Sequence, residues 1–276
     1  MSSSSKKIDT QNLPITLATP HASGQANRLY RIDALKQELE LHAFKANIVD
    51  MEQLSIEGAV VIFQRPSVFD LVRLKELYSF GVRLYLDIDD LCLNEQLLPE
   101  RMKSSDSVLN LSRATERCME YLSGVIVSTP RLEEIVRSIS TLPTFIRKNV
   151  MPIEKLLPSR SARMQSSPQL IAYTSGANHD EDLALCGKAL LRTATRADEI
   201  GFRAIGTVTL PRWEEEGEWW QDADEWPHLR YDALLDLLSD SCQVGVVPLV
   251  QDDWNRSKSL CKWMEYTVAG LAVVAS

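Results

Sequence analysis

The sequence lacks several features that would assign it to a common class. It has only five cysteines in 276 residues, and none form a C-x-x-C pair, so neither a zinc ribbon nor a disulfide framework is indicated. No apolar run reaches the roughly 18 residues that a bilayer span requires. The polar start, MSSSSKKIDTQN, has no apolar signal segment. These absences favour a cytoplasmic protein without a transmembrane segment, although peripheral contact with a membrane stays open.

The sequence also has fewer basic than acidic residues, and this balance limits the kinds of partner that the protein could bind. The chain has 30 Lys and Arg against 38 Asp and Glu, a net charge of −8. A generic nucleic-acid-binding protein presents a basic surface, so we expect no nucleic acid partner, while a local basic groove stays open. The deficit is uneven. Residues 1–150 carry 18 basic and 19 acidic residues (−1), and residues 151–276 carry 12 and 19 (−7), which hints at two units.

The order of apolar runs predicts two Rossmann-like domains. Buried-strand runs such as AVVIF at 59–63 and GVIVS at 124–128 alternate with segments of helical periodicity. This alternation is typical of βαβ units and parallel sheets. The stretch KLLPSRSARMQSSP has the Ser, Pro and Arg content of a linker. We therefore predict a disordered tail at 1–12, a first domain at 13–154, a linker at 155–168 and a second domain at 169–276.

The last residues suggest that the second domain is incomplete. The chain stops at Ser276, directly after the predicted strand AVVA at 272–275. A doubly wound sheet normally covers such a strand with a further helix, because parallel strands are buried on both faces. We therefore expect a protein that is truncated at its C-terminus.

The segment NRSKSLCKWMEYTVAGLAVVAS carries the strongest chemical signal. A helix that begins at Lys258 would place Lys258, Lys262 and Glu265 on one face. The opposite face would then turn toward the core and carry Leu260, Trp263, Met264 and Thr267.

The start of this predicted helix would suit an anion. Around Ser257 and Ser259 it would offer free backbone N–H groups and the positive end of the helix dipole, which favour phosphate. Lys258 could add a charge to the phosphates, and Glu265 could bind sugar hydroxyls. The alternative is a solvated helix face with an ordinary pair between Lys262 and Glu265.

The pattern N-x-x-K-S-x-x-K-x-x-E-Y-x-x-x-G-x-x-V-V-A-S resembles the donor-binding helix of GT-B glycosyltransferases in the family 4-like group, the glycosyl transferases of group 1. The likeness continues in order through the chain. LYLDIDDL, GVIVSTPRLEEI and FIRKNVMP are similar to N-domain strands and the interdomain crossing. IAYTSGANHDEDLAL is similar to the first strand and loop of the donor domain. The resemblance implies two Rossmann-like domains that face each other across a cleft.

The resemblance also implies roles for single residues. Glu265 would hydrogen-bond the ribose of the donor, and Lys258 and Ser259 would lie near its diphosphate. Gly176, after the first donor-domain strand, would let the backbone approach the phosphates. Gly24 would belong to a loop beneath the donor sugar, with an ordinary turn as the alternative.

The sequence departs from the family pattern at two places. Two glutamates separated by seven residues are usual, but the first position falls on Ser257, so one sugar contact is absent. The loop TSGANHDED at 174–182 also lacks the basic residues of many relatives. Lys258, Lys262 or Arg256 would then have to meet the phosphate charge.

The acidic segment DIDD at 87–90 follows a predicted strand, at the edge where open α/β sheets bind ligands. Its carboxylates could orient an acceptor hydroxyl or hold a divalent ion. The resemblance places Asp89 where many relatives carry a histidine that faces the acceptor. Asp89 and Asp90 are therefore the catalytic candidates, with Asp89 positioning the hydroxyl. The alternative is an acidic strand end with solvated carboxylates.

For two further clusters we favour a structural interpretation over a binding site. His179, Asp180 and Asp182 could form a metal trio, but their spacing fits no standard motif. We favour surface capping, with His179 near the donor as the minority alternative. The stretch Trp213–Trp226 has seven acidic residues and four tryptophans. We expect a loop whose rings pack down, rather than a site for a cationic partner or a membrane.

The sequence as a whole predicts a glycosyltransferase of the hexosyltransferase class in glycan biosynthesis. It would move a sugar from a nucleotide diphosphate-sugar to a hydroxyl of a glycan, lipid-linked or protein acceptor, with the retention that the resemblance implies. No tightly bound cofactor is expected, and a divalent cation is not implied. A non-catalytic nucleotide-binding or remnant module is the alternative. A dehydrogenase is disfavoured because no G-x-G-x-x-G follows a predicted strand, and Cys92 and Cys261 lack the adjacent His of a nucleophile.

Overall fold

The computed structural model describes residues 14–20, 25, 28–55, 59–151, 169–176, 179–194, 200–208, 224–226 and 229–276. The predicted tail and the predicted linker lie outside these residues. Described residues up to Val150, apart from Gln25, form one compact unit, and those from Met151 onward form a second.

The first unit is built on a six-stranded sheet in which every pair is parallel. Its strand order is β2-β1-β3-β4-β5-β6, which reverses direction between β1 and β3. In chain order the strands are Ile15–Ala18, Ala46–Val49, Val60–Gln64, Arg83–Ile88, Gly124–Val127 and Thr144–Ile146. The buried side chains of β1, β3, β4 and β5 form its core, as the apolar runs predicted.

Helices connect these strands. A π-helical turn at Arg28–Asp33 leads into the first α-helix, and short 3-10 turns occur at Met51–Gln53, Glu95–Leu97 and Met119–Tyr121. The α-helices are α1 (Ala34–Leu41), α2 (Asp70–Ser79), α3 (Glu100–Lys103), α4 (Asp106–Cys118) and α5 (Pro130–Ile139).

Local sequence signals set the ends of two of these helices. Gly81 follows α2 with φ of 78°, a left-handed conformation that glycine adopts without strain. Thr129 caps α5 by accepting a hydrogen bond from the backbone N–H of Leu132 at 3.2 Å, and Pro130 occupies the first turn.

The second unit holds a five-stranded parallel sheet with the order β11-β10-β7-β8-β9. Its strands are Gln169–Ser175, Ile200–Gly206, Asp224–Trp226, Cys242–Val247 and Ala272–Ala275. Its helices are α6 (Asp180–Ala194), α7 (Tyr231–Ser241), α8 (Asp253–Arg256) and α9 (Cys261–Ala269). The predicted fold class of two parallel-sheet α/β domains is confirmed. No helix in the described parts of the chain has both the length and the apolar character needed to cross a membrane.

The acidic, tryptophan-rich stretch was predicted as a loop, and this is wrong for its last three residues. Asp224–Trp226 forms β9, an edge strand whose backbone pairs in parallel with β8, with Asp224 opposite Arg203 in the register. Residues 213–223 lie outside the described part of the chain.

The helix predicted from Lys258 begins later than expected. A separate short helix, α8, precedes it, because Asp252 caps this helix by accepting a hydrogen bond from the backbone N–H of Asn255 at 2.8 Å. The chain then turns, and α9 begins at Cys261. Lys258 and Ser259 therefore lie in the loop between the two helices.

The predicted core face of this helix is also wrong. Leu260 and Trp263 are 71% and 47% exposed, while the buried residues of α9 include Glu265 and Tyr266. Tyr266 fixes the orientation of the helix, because its hydroxyl accepts a hydrogen bond from the backbone N–H of Thr174 on β7 at 2.9 Å. To reach β7, the ring crosses β10 at a glycine, Gly245.

We expect Gly245→Ala to destabilise the second unit by at least about 1–3 kcal/mol, the usual cost of overpacking. A Cβ at Gly245 would lie 2.3 Å from Cδ2 of Tyr266, so the ring would have to move. Thermal or urea unfolding checks this against Gly176→Ala, where an added Cβ meets nothing within 4 Å. Equal stability of the two variants would contradict the packing argument.

Candidate functional site

The carboxyl edge of the second sheet holds an open pocket, here called the switch-point pocket. It is a cavity of about 180 Å³ at the ends of β7 and β10, where the strand order reverses. Open α/β sheets bind ligands at such a point. Its walls include residues 173–176, 246–249 and 258–260, together with Lys262 and Trp263.

Four predicted site residues come together on this pocket: Gly176, Lys258, Ser259 and Lys262. The backbone at Gly176 faces open space, since an added Cβ would meet nothing within 4 Å. A ligand could therefore approach the main chain closely at this position.

Ser257, another predicted site residue, is not among the residues that line the pocket. Ser257 is fully buried, and its hydroxyl donates a hydrogen bond to the backbone carbonyl of Asp253 at 2.6 Å, within α8. The predicted anion site at the start of a helix thus does not include this side chain. Gly24 lies outside the described residues.

Glu265 is buried behind the pocket, with its side chain only 2% exposed. Lys262, which lines the pocket, donates a hydrogen bond from Nζ to Oε2 of Glu265 at 3.0 Å. The expected alternative of a Lys262–Glu265 pair is therefore present, but not on a solvated face. Lys262 therefore lies between the Glu265 carboxylate and the pocket.

His179 and Asp182 also differ from the favoured interpretation of surface capping. Asp182 is completely buried, and its Oδ2 lies 2.6 Å from Nδ1 of His179. The other imidazole nitrogen, Nε2, lies 2.9 Å from Nζ of Lys258. His179 therefore lies on the wall of the switch-point pocket, in contact with the lysine predicted to meet phosphate.

Asn255 is a site residue to which sequence reasoning assigned no role. Its Nδ2 donates a hydrogen bond to Oδ1 of Asp182 at 2.8 Å and a second to the carbonyl of Val250 at 3.1 Å. The backbone N–H of Val250 donates to the same oxygen of Asp182 at 2.8 Å. The asparagine was visible as the first letter of the N-x-x-K-S pattern, but only the fold brings it to a carboxylate 73 positions earlier.

Among the described residues, no three His, Cys, Asp or Glu side chains are arranged to hold a metal ion. The structure therefore gives no support to a metal trio at His179, Asp180 and Asp182. It gives none to a divalent ion held by the carboxylates at 87–90 either.

The carboxyl edge of the first sheet carries a buried polar network around Asp87. Arg31 and Asp87 are both buried and form a two-point ion pair, in which Nε of Arg31 donates to Oδ2 of Asp87 at 3.0 Å. Gln64 donates to the same oxygen at 2.9 Å, and Thr19 donates to Gln64 at 3.3 Å. Arg31 also donates to Asn149 at 3.2 Å. The alternative of solvated carboxylates is therefore wrong for Asp87.

Asp89 and Asp90 lie at the end of this strand against Arg65, a residue that sequence reasoning missed. Nη2 of Arg65 is 2.9 Å from Oδ2 of Asp90 and 3.8 Å from Oδ1 of Asp89. Burial raises the pKa of Asp89 to about 6, the Asp90 carboxylate adds to the rise, and Arg65 and Arg31 oppose it. An adjoining cavity of about 20 Å³ has room for about one water molecule.

Cys92 lines the same small cavity. Burial and then the charge of Asp90 raise the pKa of this thiol, so it stays protonated at neutral pH. This agrees with the expectation that it is not a nucleophile.

No protein-family model matches this sequence, and no curated relative matches it. Similar solved structures include glycosyltransferases. An alpha-glucosyltransferase in complex with UDP and a 13-mer DNA containing a HMU base is 10% identical, with a TM-score of 0.62 over 95% of this chain and 79% of that chain. The alpha-glucosyltransferase AGT in complex with UDP is 9% identical, with a TM-score of 0.62 over 96% and 80%.

A third similar structure is the pneumococcal O-GlcNAc transferase GtfA in complex with UDP and GlcNAc. It is 15% identical, with a TM-score of 0.51 over 78% of this chain and 41% of that chain. These neighbours have the GT-B fold, and the two parallel-sheet α/β domains of this chain agree with it. At such low identity the likeness concerns the fold alone.

The raised pKa of Asp89 gives a pH-dependent prediction. The folded protein binds this proton more tightly than the unfolded chain, where the pKa is about 4, so stability falls as the pH rises from about 4 through 6. Asp89→Asn removes this titration. Its stability relative to wild type should rise by up to about 3 kcal/mol between pH 4 and pH 7. Urea unfolding at both pH values checks this, and a pH-independent difference would contradict it.

Proposed function

We propose that this protein is a glycosyltransferase of the family 4-like group that takes its sugar from a nucleotide diphosphate-sugar. The observation that carries the proposal is the switch-point pocket. Lys258, Ser259, Lys262 and Gly176, which the sequence pattern predicted as donor contacts, line one open cavity. The fold is the one found in glycosyltransferases that were solved with UDP.

The pocket offers a diphosphate positive charge and hydrogen-bond donors. Lys258 and Lys262 supply two ammonium groups on its wall. The nine-residue helix α9 begins at Cys261, so its first backbone N–H groups and positive dipole end lie beside the same wall. These groups would stabilise the charge that grows on the diphosphate as it leaves the sugar.

Apolar groups complete the pocket. Trp263 and Leu260 line it and are 47% and 71% exposed, so together they form an apolar patch beside the lysines. An exposed indole beside two lysines suits a ligand with a flat base or a sugar ring at one end and phosphates at the other. UDP is the first nucleotide to try, because similar structures were solved with it.

Glu265 is proposed to hydrogen-bond the ribose of the donor. Its carboxylate is paired with Lys262, so the contact requires this lysine to turn toward the phosphates and uncover an oxygen. Lys262 would then exchange Glu265 for the phosphates, and the ribose hydroxyls would donate hydrogen bonds to the Glu265 carboxylate in place of the lysine.

The first unit is proposed to present the acceptor hydroxyl through Asp89 and Asp90. With a pKa of about 6, Asp89 can accept or donate a proton near neutral pH. We assign it the positioning of the hydroxyl. Retention follows from the family resemblance, in which the leaving diphosphate assists deprotonation on the same face of the sugar.

The acceptor is proposed to be a glycan, a lipid-linked glycan or a protein. The net charge of −8 disfavours nucleic acid, while similar structures include an alpha-glucosyltransferase solved with DNA. A transfer assay should therefore include DNA with hydroxymethyl bases beside the three other acceptor classes.

A non-catalytic nucleotide-binding module is the second candidate, and one observation favours it. Ser257 stands where the family pattern has its first glutamate, and its buried hydroxyl is bonded within α8. It is not placed to contact a sugar. Such a module would bind the nucleotide without transferring or hydrolysing the sugar.

The first test is calorimetric titration with UDP, GDP, ADP and dTDP. We expect selective binding of one nucleotide, and Lys258→Met should weaken it by about tenfold or more, because a charge-assisted hydrogen bond to phosphate is lost. Lys188→Met is the matched control, since it removes the same charge from an exposed position on α6. Absence of binding to the folded chain would refute the proposal.

A second test separates the two assigned sites. We expect Glu265→Ala to weaken nucleotide binding far more than Asp89→Ala does, because only Glu265 is assigned to the donor. Asp89→Ala should instead reduce transfer to an acceptor. Equal losses of nucleotide affinity in the two variants, or no loss in either, would count against these roles.

A further inference from the structure

We propose that His179, fixed by Asp182, is a positioning residue that orients Lys258 toward the phosphates of the donor. This inference rests on the proposed function and deepens it. Lys258 takes the place of the basic residues that the loop at 174–182 lacks, and the same loop supplies a histidine that holds it.

The geometry makes one imidazole nitrogen of His179 a hydrogen-bond acceptor and the other a donor. An ammonium group can only donate, so Nε2 of His179 accepts the hydrogen bond from Nζ of Lys258 at 2.9 Å. Nδ1 then carries the hydrogen and donates it to Oδ2 of Asp182 at 2.6 Å. The carboxylate thereby fixes which nitrogen carries the hydrogen.

Asp182 is a rigid support for this arrangement. It is completely buried, and its second oxygen accepts from the backbone N–H of Val250 and from Nδ2 of Asn255, both at 2.8 Å. The backbone N–H of Lys258 in turn donates to the carbonyl of Asn255 at 3.1 Å. One carboxylate therefore holds Lys258 at both ends, its backbone through Asn255 and its ammonium through His179.

Because the imidazole is neutral, it leaves the positive charge of Lys258 available to a phosphate. A carboxylate partner cancels much of the charge of an ammonium group, as Glu265 does for Lys262 at 3.0 Å. The neutral ring of His179 orients the ammonium of Lys258 without opposing its charge. Because a lysine side chain is flexible, orienting it in advance lowers the entropy cost of binding.

The test compares His179→Gln with His179→Met, which have similar length but differ in having a hydrogen-bond acceptor. The affinities for UDP and for uridine are measured by calorimetry in each folded variant. We expect His179→Met to lower the ratio of UDP to uridine affinity by about tenfold, with uridine affinity unchanged. His179→Gln should restore most of the ratio, since its amide oxygen can accept from Lys258. Adding Lys258→Met to His179→Met should cause little further loss.

Thermal melting confirms that each variant is folded, and His179→Ala replaces the methionine variant if that one does not fold. The inference is overturned if Lys258→Met lowers the ratio while the variants without an acceptor keep it. An equal loss for UDP and uridine, or a failure of glutamine to restore the ratio, would also overturn it. These results leave the proposed function standing, whereas a wild-type protein that binds no nucleotide removes both.

Discussion

The buried carboxylate of Asp182 is the interaction on which the candidate donor site depends. It lies at the start of α6, yet its hydrogen bonds hold the loop after β10 at Val250 and the short helix α8 at Asn255. A buried carboxylate is costly unless its oxygens are bonded, and both of its oxygens accept hydrogen bonds. Satisfying this one group brings three segments to the same sheet edge and places Lys258 on the pocket.

The first unit also contains a buried carboxylate whose oxygens accept hydrogen bonds from other segments. Asp87 ends β4 and is buried, and it is held by Arg31 from the turn before α1 and by Gln64 from β3. In both units the buried acid lies at the carboxyl edge of a parallel sheet, where strand ends leave polar groups to be satisfied. The more exposed carboxylates Asp89 and Asp90 extend from this fixed point. The buried Asp87 and the candidate catalytic carboxylates, Asp89 and Asp90, thus occupy neighbouring but distinct positions.

Much of the fold could be predicted because most of its strands are short apolar runs, and the central strands β3, β4 and β5 are largely buried. The segment at 255–276 shows what a sequence pattern cannot predict. Helical spacing from Lys258 onward suggested a continuous helix with Trp263 in the core. A capped helix at Asp253–Arg256 and the bond from Tyr266 across Gly245 to Thr174 rotate the real helix instead. Glu265 is then buried, and Trp263 faces the pocket. Spacing alone cannot decide which face a helix buries when both faces carry apolar residues.

The sequence by itself determined the features that act over a few residues. These are the apolar strands, the glycine that ends α2, the threonine and proline that begin α5, and the set of residue types suited to a phosphate. Only the tertiary structure decided which of these side chains are buried and which meet. His179 and Lys258 are 79 positions apart, and Arg31 and Asp87 are 56 apart. Such pairings depend on strand order in the sheet, which no local pattern encodes, because the order is fixed by how all the strands pack together.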